Sequence, residues 1–240
     1  MIRITRTPGV ARLAAAVLVI AAAAAVMLTG HALAGAPNPK PHPKPPGPAV
    51  RAATASARRA LLRRPDLGAG WSLVSAAPSD TASLTCAADR SVLAAVASAT
   101  WSQRSSGVFV SGASYGYATG AAERRGWART ADGGMGRCLE RLLADGSGQG
   151  VRLRATGVRR LAPPPLARGA HGVAVSRYRV SGTASGNGQQ TTVALDVVLV
   201  AAGTWIAEDE FTAVGASPAN ALEARVARAQ VRRAVSSPAR

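Results

Sequence analysis

The stretch from Gln189 to Val214 constrains the fold more than any other part of this 240-residue chain. Apolar residues alternate along its first arm, which places them on one face of a β-strand: Val193, Leu195, Val197 and Leu199. β-Branched and aromatic residues dominate both arms and suit a pleated surface. Gly203 separates the arms where a turn must interrupt the ladder. The pattern predicts an antiparallel hairpin at the centre of a sheet.

Residues 1–36 predict export. A basic start precedes an uncharged run from Leu13 to Ala36, and the small residues of 32–34 or 34–36 offer a cleavage site. This is the layout of a secretory signal peptide. An uncleaved membrane anchor is the alternative, because the uncharged run is long enough to span the hydrocarbon core of a bilayer. In both cases we expect the rest of the chain to be extracytoplasmic.

Residues 37–48 form a proline-rich linker in which prolines alternate with other residues. This alternation opposes helix and sheet and favours polyproline II. At about 3.1 Å per residue the segment would act as a semi-rigid spacer of roughly 37 Å. A spacer next to a membrane and a disordered tail of a secreted protein both remain open.

Residues 49–240 are expected to form one domain with a strongly basic surface. The chain has a net charge of +17, and its two lysines, Lys40 and Lys44, both lie in the linker, so the basic residues of the domain are all arginines. The arginine pairs are scattered and are not interleaved with aromatic residues, so we expect no nucleic-acid partner. Attraction to an anionic component of the cell envelope and a merely solvated arginine surface both remain open.

Periodicity elsewhere predicts the remaining elements. Helical spacing occurs at 50–64, from 86 to 96, at 121–131, at 134–144 and from 217 onward, whereas strand alternation occurs at 101–120, 151–156, 172–182 and 189–214. Consecutive strands joined by short turns pair antiparallel. The predicted fold class is therefore α+β, an antiparallel β-sheet with helices packed on one face.

Several segments in this order resemble a known family. They are Leu61-Leu62 before 66–71 (Asp-Leu-Gly-Ala-Gly-Trp), 178–180 (Tyr-Arg-Val), and 196–200 (Asp-Val-Val-Leu-Val) before a glycine turn, with two cysteines flanking a strand–helix region. Together they are similar to the PknH-like extracellular domain, a sensor-type domain of actinobacterial secreted and membrane-anchored proteins. The resemblance implies an antiparallel sheet with helices around a cleft, and the binding of an unidentified ligand.

The two cysteines, Cys86 and Cys138, are predicted to form one disulfide bond. An exported domain lies in an oxidising compartment, where an even number of cysteines favours disulfide formation. Cys138 lies on the apolar stripe of its predicted helix, and Cys86 opens another predicted helix. Two helices packed on the same sheet would bring the pair within bonding range.

No motif for a cofactor, a metal ion or a catalytic triad emerges from the sequence. His171 is the one histidine between residues 49 and 240, and it follows a proline-rich loop. A nucleophilic triad or a metal centre needs further ligands at suitable spacing. We therefore predict neither catalytic, cofactor-binding nor metal-binding residues.

The acidic cluster Glu208-Asp209-Glu210 supports an alternative function, that of a secreted hydrolase. On a strand, Glu208 and Glu210 share one face and Asp209 faces the other way. Such carboxylates would serve a secreted hydrolase, or would pair with Arg177 and Arg179 on a neighbouring strand. We expect the structural pairing. The predicted function is that of a non-catalytic extracytoplasmic domain whose partner is a small ligand or an anionic envelope component.

Overall fold

The computed structural model describes residues 46–75, 91–129, 134–145, 152–165, 172–186 and 188–235. The predicted leader, most of the predicted linker, Cys86 and His171 lie outside these ranges. What the sequence predicts for them therefore stays a prediction. None of the helices described has the length and apolarity needed to cross a membrane.

Eight antiparallel strands form one sheet. Its main path runs β1-β3-β4-β8-β7-β6-β5, and β2 pairs with β4 beside this path. The strands are β1 (Ser72–Ser75), β2 (Val92–Ala97), β3 (Thr100–Gln103), β4 (Val108–Tyr117), β5 (Arg152–Leu161), β6 (Val173–Gly186), β7 (Gln189–Ala202) and β8 (Trp205–Val214). The predicted central hairpin is confirmed as β7 and β8, and Gly203 between them has a φ of 64°.

Within the described ranges, five helices accompany the sheet, and they contact both of its faces. They are α1 (Pro48–Ala60), α2 (Arg64–Leu67), α3 (Gly120–Arg129), α4 (Met135–Asp145) and α5 (Asn220–Val235). The α+β fold class is confirmed. The expectation that the helices pack on one face is not met, because the long strand β7 is apolar on both sides and each side needs a cover.

Alternation along β7 divides the core into two clusters. Val197 and Leu199 face a cluster that includes residues of α3 and α4, and we call this side the α3–α4 face. Val198 and Val200 face a cluster that includes residues of α1, α2 and α5, and we call this side the α1–α5 face. The α3–α4 face buries Tyr115, Leu139 and Ile206, and the α1–α5 face buries Leu67, Phe211 and Val226.

Two helix predictions are corrected. The apolar spacing that predicts a helix through Val92 and Val96 belongs instead to β2, whose residues pair antiparallel with β4. A short apolar run fits both the helical and the strand period, and the pairing with β4 shows that this one is a strand. The predicted helix over 50–64 ends at Ala60, and Pro65 lies in the first turn of α2, where its missing N–H costs no hydrogen bond.

The last helix begins at Asn220 rather than at the predicted position 217. Asn220 accepts a hydrogen bond of 2.8 Å from the guanidinium of Arg177 on β6. This contact joins the start of α5 to the sheet. Val226 and Ala229 of this helix are buried, and Leu222 is half-buried.

Gly116 brings α1 against β4. A Cβ placed on Gly116 would overlap the carbonyl group of Ala53 in α1. A glycine at this position therefore allows the backbones of α1 and β4 to approach closely.

Candidate functional site

The acidic cluster of β8 lies at the centre of the sheet and is divided between its two faces. Glu208 and Glu210 point to the α3–α4 face with Ile206, whereas Asp209 points to the α1–α5 face with Phe211. Glu208 is 1% exposed and Asp209 is 0% exposed, while Glu210 keeps partial exposure. The predicted alternation of the three carboxylates is thus confirmed.

The expected pairing of these carboxylates with Arg177 and Arg179 is wrong. Both arginines lie on β6, and β7 separates β6 from β8 in the sheet. Their partner is Asp196 on β7, which pairs directly with Arg179 in the ladder. Arg179 forms two hydrogen bonds of 2.6 Å to Asp196, and Arg177 forms one of 2.8 Å.

A buried ionic cluster thereby joins β6, β7 and α5. Arg177 also contacts Glu223 of α5, with 3.0 Å between Nη2 and Oε1 and 2.5 Å between Nε and Oε2. Burial raises the pKa of Asp196, but hydrogen bonds from Arg179, Glu223 and Arg177 outweigh burial and hold it below its usual value. Burial and the neighbouring Asp196 raise the pKa of Glu223 to about 8. The neutral form of Glu223 is therefore favoured, and its hydrogen bond to Asp196 stabilises the carboxylate of Asp196.

Glu208 and Glu210 lie in a polar strip on the other face. The hydroxyl of Tyr115 lies 3.3 Å from Glu208, and that of Ser111 lies 3.5 Å from Glu210. Burial, and then the charge of Glu208, raise the pKa of Glu210 to about 8. At neutral pH Glu210 is mostly protonated and can donate a hydrogen bond. A strand rise of about 3.4 Å separates the two carboxyl positions by roughly 7 Å.

That separation falls within the range of inverting glycosidases, in which one of two carboxylates must activate a water molecule. Glu208 occupies the position of the second carboxylate. Because it is 1% exposed, substrate and water have no direct access to its carboxylate. The arrangement suits a structural hydrogen-bonding role better than acid–base chemistry.

Asp209 is a second buried carboxyl group with a different environment. It is 0% exposed and lies beside Gln230 of α5, and neither of its oxygens makes a hydrogen bond of good geometry in the described part of the chain. Burial raises the pKa of Asp209 well above its usual value, against the opposing effect of the Gln230 amide. Nearby, Arg233 pairs with Asp66 at 2.7 Å. Burial thus favours the neutral form of Asp209 more than it would for an exposed carboxyl group.

The lone acidic residue in an apolar strand was the signal that could have identified the ionic cluster. Asp196 interrupts the apolar run from Val193 to Val200. A carboxylate in a strand buried on both faces needs a cationic partner beside it. The arginines of the preceding strand were the available partners, but the strand order needed to choose them is not written in the local pattern.

Of the two cysteines in the predicted disulfide, the structure describes only Cys138. Cys138 lies in α4 and is half-buried, next to the buried Leu139. Cys86 lies outside the described residues, so the bond between the two stays a prediction. Across the described ranges, no three His, Cys, Asp or Glu side chains converge as metal ligands would.

The distribution of charge separates the interior from the surface. Among the side chains whose exposure is described, Glu140 is the single exposed carboxylate, and Glu210 is partly exposed. The other acidic side chains with a described exposure are buried: Asp66, Glu123, Asp196, Glu208, Asp209 and Glu223. The exposed arginines are Arg51, Arg58, Arg59, Arg63, Arg64, Arg104, Arg124, Arg125, Arg129, Arg137, Arg141, Arg152, Arg154, Arg159, Arg160, Arg225 and Arg232.

Comparison with known proteins gives a distant likeness in shape. No family model matches the chain, and no curated protein matches it. Among solved structures it is similar to the extracellular domain of PknH from Mycobacterium tuberculosis, with 12% sequence identity and a TM-score of 0.45. The similarity covers 77% of this chain and 97% of that one.

Proposed function

We propose that residues 49–240 form a non-catalytic extracytoplasmic domain that binds an anionic component of the cell envelope. Export is supported by the basic, apolar and small-residue segments of the leader. Binding is supported by one observation, the placement of nearly every described carboxylate inside the fold and of the arginines outside. The charge excess is therefore a property of the surface.

This placement matters because internal acids do not neutralise a surface. Asp196 pairs with both Arg177 and Arg179, and Asp66 pairs with Arg233. The exposed arginines retain their fields toward solvent, where an excess of one sign attracts polyanions and raises their association rate. Guanidinium groups in addition bind phosphate and carboxylate with two parallel hydrogen bonds.

The test is the affinity of the exported protein for fluorescein-labelled inorganic polyphosphate, with dextran as the uncharged control. Polyvalent ionic binding releases counterions, so affinity should fall about tenfold or more between about 50 and 200 mM NaCl. Dextran should not bind. Failure to bind polyphosphate at about 50 mM salt would overturn the proposal and would favour the interpretation that the arginines are simply solvated.

The hydrolase alternative rests on Glu208 and Glu210. Glu210 has the raised pKa and partial exposure of a general acid, but the buried Glu208 lacks access to substrate. We expect no turnover of ester, peptide or glycoside substrates. Turnover that is lost in Glu210→Gln and retained in Arg104→Gln would favour the hydrolase.

A further inference from the structure

The outermost strand β5 carries three arginines on one face because of a β-bulge. The register of β5 against β6 shifts between Ala155 and Gly157. Before the shift, Arg152 and Arg154 share a face, and after it Arg159 joins them, although its number has the opposite parity. An unbroken strand would turn Arg159 toward the α3–α4 face, on which the strand buries its apolar residues.

Register fixes which face this is. Arg154 lies opposite Thr183, and Arg159 lies opposite Arg179. Arg179 in turn lies opposite Asp196, whose side chain is on the α1–α5 face. The three arginines therefore project on the α1–α5 side, at the edge of the sheet farthest from β1.

Polar side chains of β6 and β7 extend the same surface. Opposite the arginines lie Ser181, Thr183 and Ser185 of β6, and beyond them Gln190 and Thr192 of β7. All of these are exposed except Thr183, which is half-buried. We call this surface, formed by Arg152, Arg154, Arg159 and the five polar residues, the β5 arginine face.

The three arginines of this face carry charge that the described part of the chain does not neutralise. All three are exposed, and within the described ranges none of them pairs with a carboxylate. Arg179 is the next guanidinium along this face, and Asp196 already holds it. Three exposed guanidinium groups therefore lie next to several hydroxyl and amide donors on the same face of the sheet.

The face is linear. With a rise of about 3.4 Å per residue, Arg152 and Arg154 are about 7 Å apart. Arg152 lies opposite Ser185 and Arg159 opposite Arg179, so the strip extends for six residues of β6, or about 20 Å. A chain of regularly repeated anions laid along β5 would meet each guanidinium in turn.

The chemistry of the strip selects among polyanions. It contains no aromatic side chain on which nucleic-acid bases would stack. It also lacks an apolar side chain that would enter a membrane, and the exposed large apolar residues of the described ranges lie elsewhere, Leu73 and Val74 on β1 and Leu93 on β2. Guanidinium, hydroxyl and amide donors match phosphate oxygens.

We propose that the β5 arginine face is the docking surface for a linear phosphate polymer of the envelope. This rests on the proposed function and names the surface and the partner class for it. The polymer lies along β5, with phosphates held by Arg152, Arg154 and Arg159. Hydroxyl groups of β6 donate hydrogen bonds to the phosphate oxygens that remain.

The experiment compares two triple variants of equal charge. One is Arg152→Gln with Arg154→Gln and Arg159→Gln, and the matched control combines Arg104→Gln, Arg124→Gln and Arg125→Gln. Both sets are exposed, so thermal unfolding should be unchanged in each. The readout is the slope of log affinity for labelled polyphosphate against log salt concentration, with phosphatidylglycerol vesicles as a second probe.

Each phosphate contact on a flexible polyanion contributes about 0.7 to the slope, so the β5 variant should lower it by about 2. The control should change it by less than about 0.7. Equal effects of both variants would overturn the docking surface while leaving polyanion binding intact. Loss of vesicle binding without loss of polyphosphate binding would assign the face to lipid and also overturn the proposal.

Two results separate this proposal from the broader function. If the wild-type protein binds no polyphosphate, the proposed function itself fails. If the triple variant does not fold, the single variant Arg154→Gln takes its place, with an expected slope change of about 0.7. No change in that variant would overturn the docking surface.

Discussion

Two buried aspartates on neighbouring strands test the electrostatic account of the core. Asp196 and Asp209 are both 0% exposed, and both face the α1–α5 side. Arg177 and Arg179 pair with Asp196 and hold its pKa below its usual value, whereas burial raises the pKa of Asp209 well above its usual value and favours its neutral form. The substitutions Asp196→Asn and Asp209→Asn change the same atoms in similar surroundings. Only the first breaks an ion pair.

The expected cost follows from what each change leaves behind. Asp196→Asn leaves two guanidinium groups beside a neutral amide, and their side chains are only 8% and 12% exposed, so solvent screens them little. Removing one partner of a buried ion pair costs about 3–5 kcal/mol of the free energy of unfolding. For a domain of this size, that lowers Tm by about 6–20 °C. Asp209→Asn breaks no ion pair and replaces a carboxyl group whose neutral form burial already favours, so it should cost less than about 1 kcal/mol.

The assay is urea unfolding of the wild type and both variants at pH 7, repeated toward lower pH. Because the pKa of Asp196 is depressed in the folded protein, its stabilisation is present above the unfolded pKa of about 3.9 and is lost as the pH falls through the folded value. The deficit of Asp196→Asn should therefore shrink in acid. Equal costs for the two variants at pH 7 would refute the account in which only Asp196 is held in an ion pair.

Three further predictions concern the sheet and its helices. The raised pKa of Glu210, about 8, makes the folded state lose stability as pH rises from about 4.5 to about 8, and Glu210→Gln should flatten urea-unfolding profiles over that window; an unchanged profile would contradict the shift. Gly116→Ala should unfold at lower temperature than the wild type, because the added Cβ meets the carbonyl of Ala53, and an unchanged Tm would show that α1 moves away freely. Alkylation of exported protein without reductant, read by mass spectrometry, should label neither Cys86 nor Cys138, and two labelled thiols would exclude the disulfide.

The central hairpin was predictable because its signals agree. Alternation from Val193 to Leu199, the glycine at 203 and the β-branched second arm all indicate the same structure. The glycine turn at 203 sets the register in which the two arms of the hairpin, β7 and β8, pair with each other. The fold class follows from the number of such segments and from the short turns between them.

The placement of helices and charges depended on information that is not local. The helical spacing through Val92 and Val96 also fits a strand, and only the pairing with β4 reveals which it is. The expected pairing of Arg177 and Arg179 with the carboxylates of β8 is wrong because the local sequence does not show that β7 lies between β6 and β8. The bulge after Ala155, which turns Arg159 outward, likewise depends on the register against β6.

The central claim is that arginines on the surface of an exported domain hold it on an anionic envelope polymer. The most direct measurement adds the purified protein to isolated envelopes of the cells that produce it, and follows the bound fraction as NaCl, polyphosphate or dextran is added. The account predicts retention at low salt, with release by NaCl and by polyphosphate but not by dextran. Retention that neither salt nor polyphosphate reverses, or no retention at low salt, would contradict it.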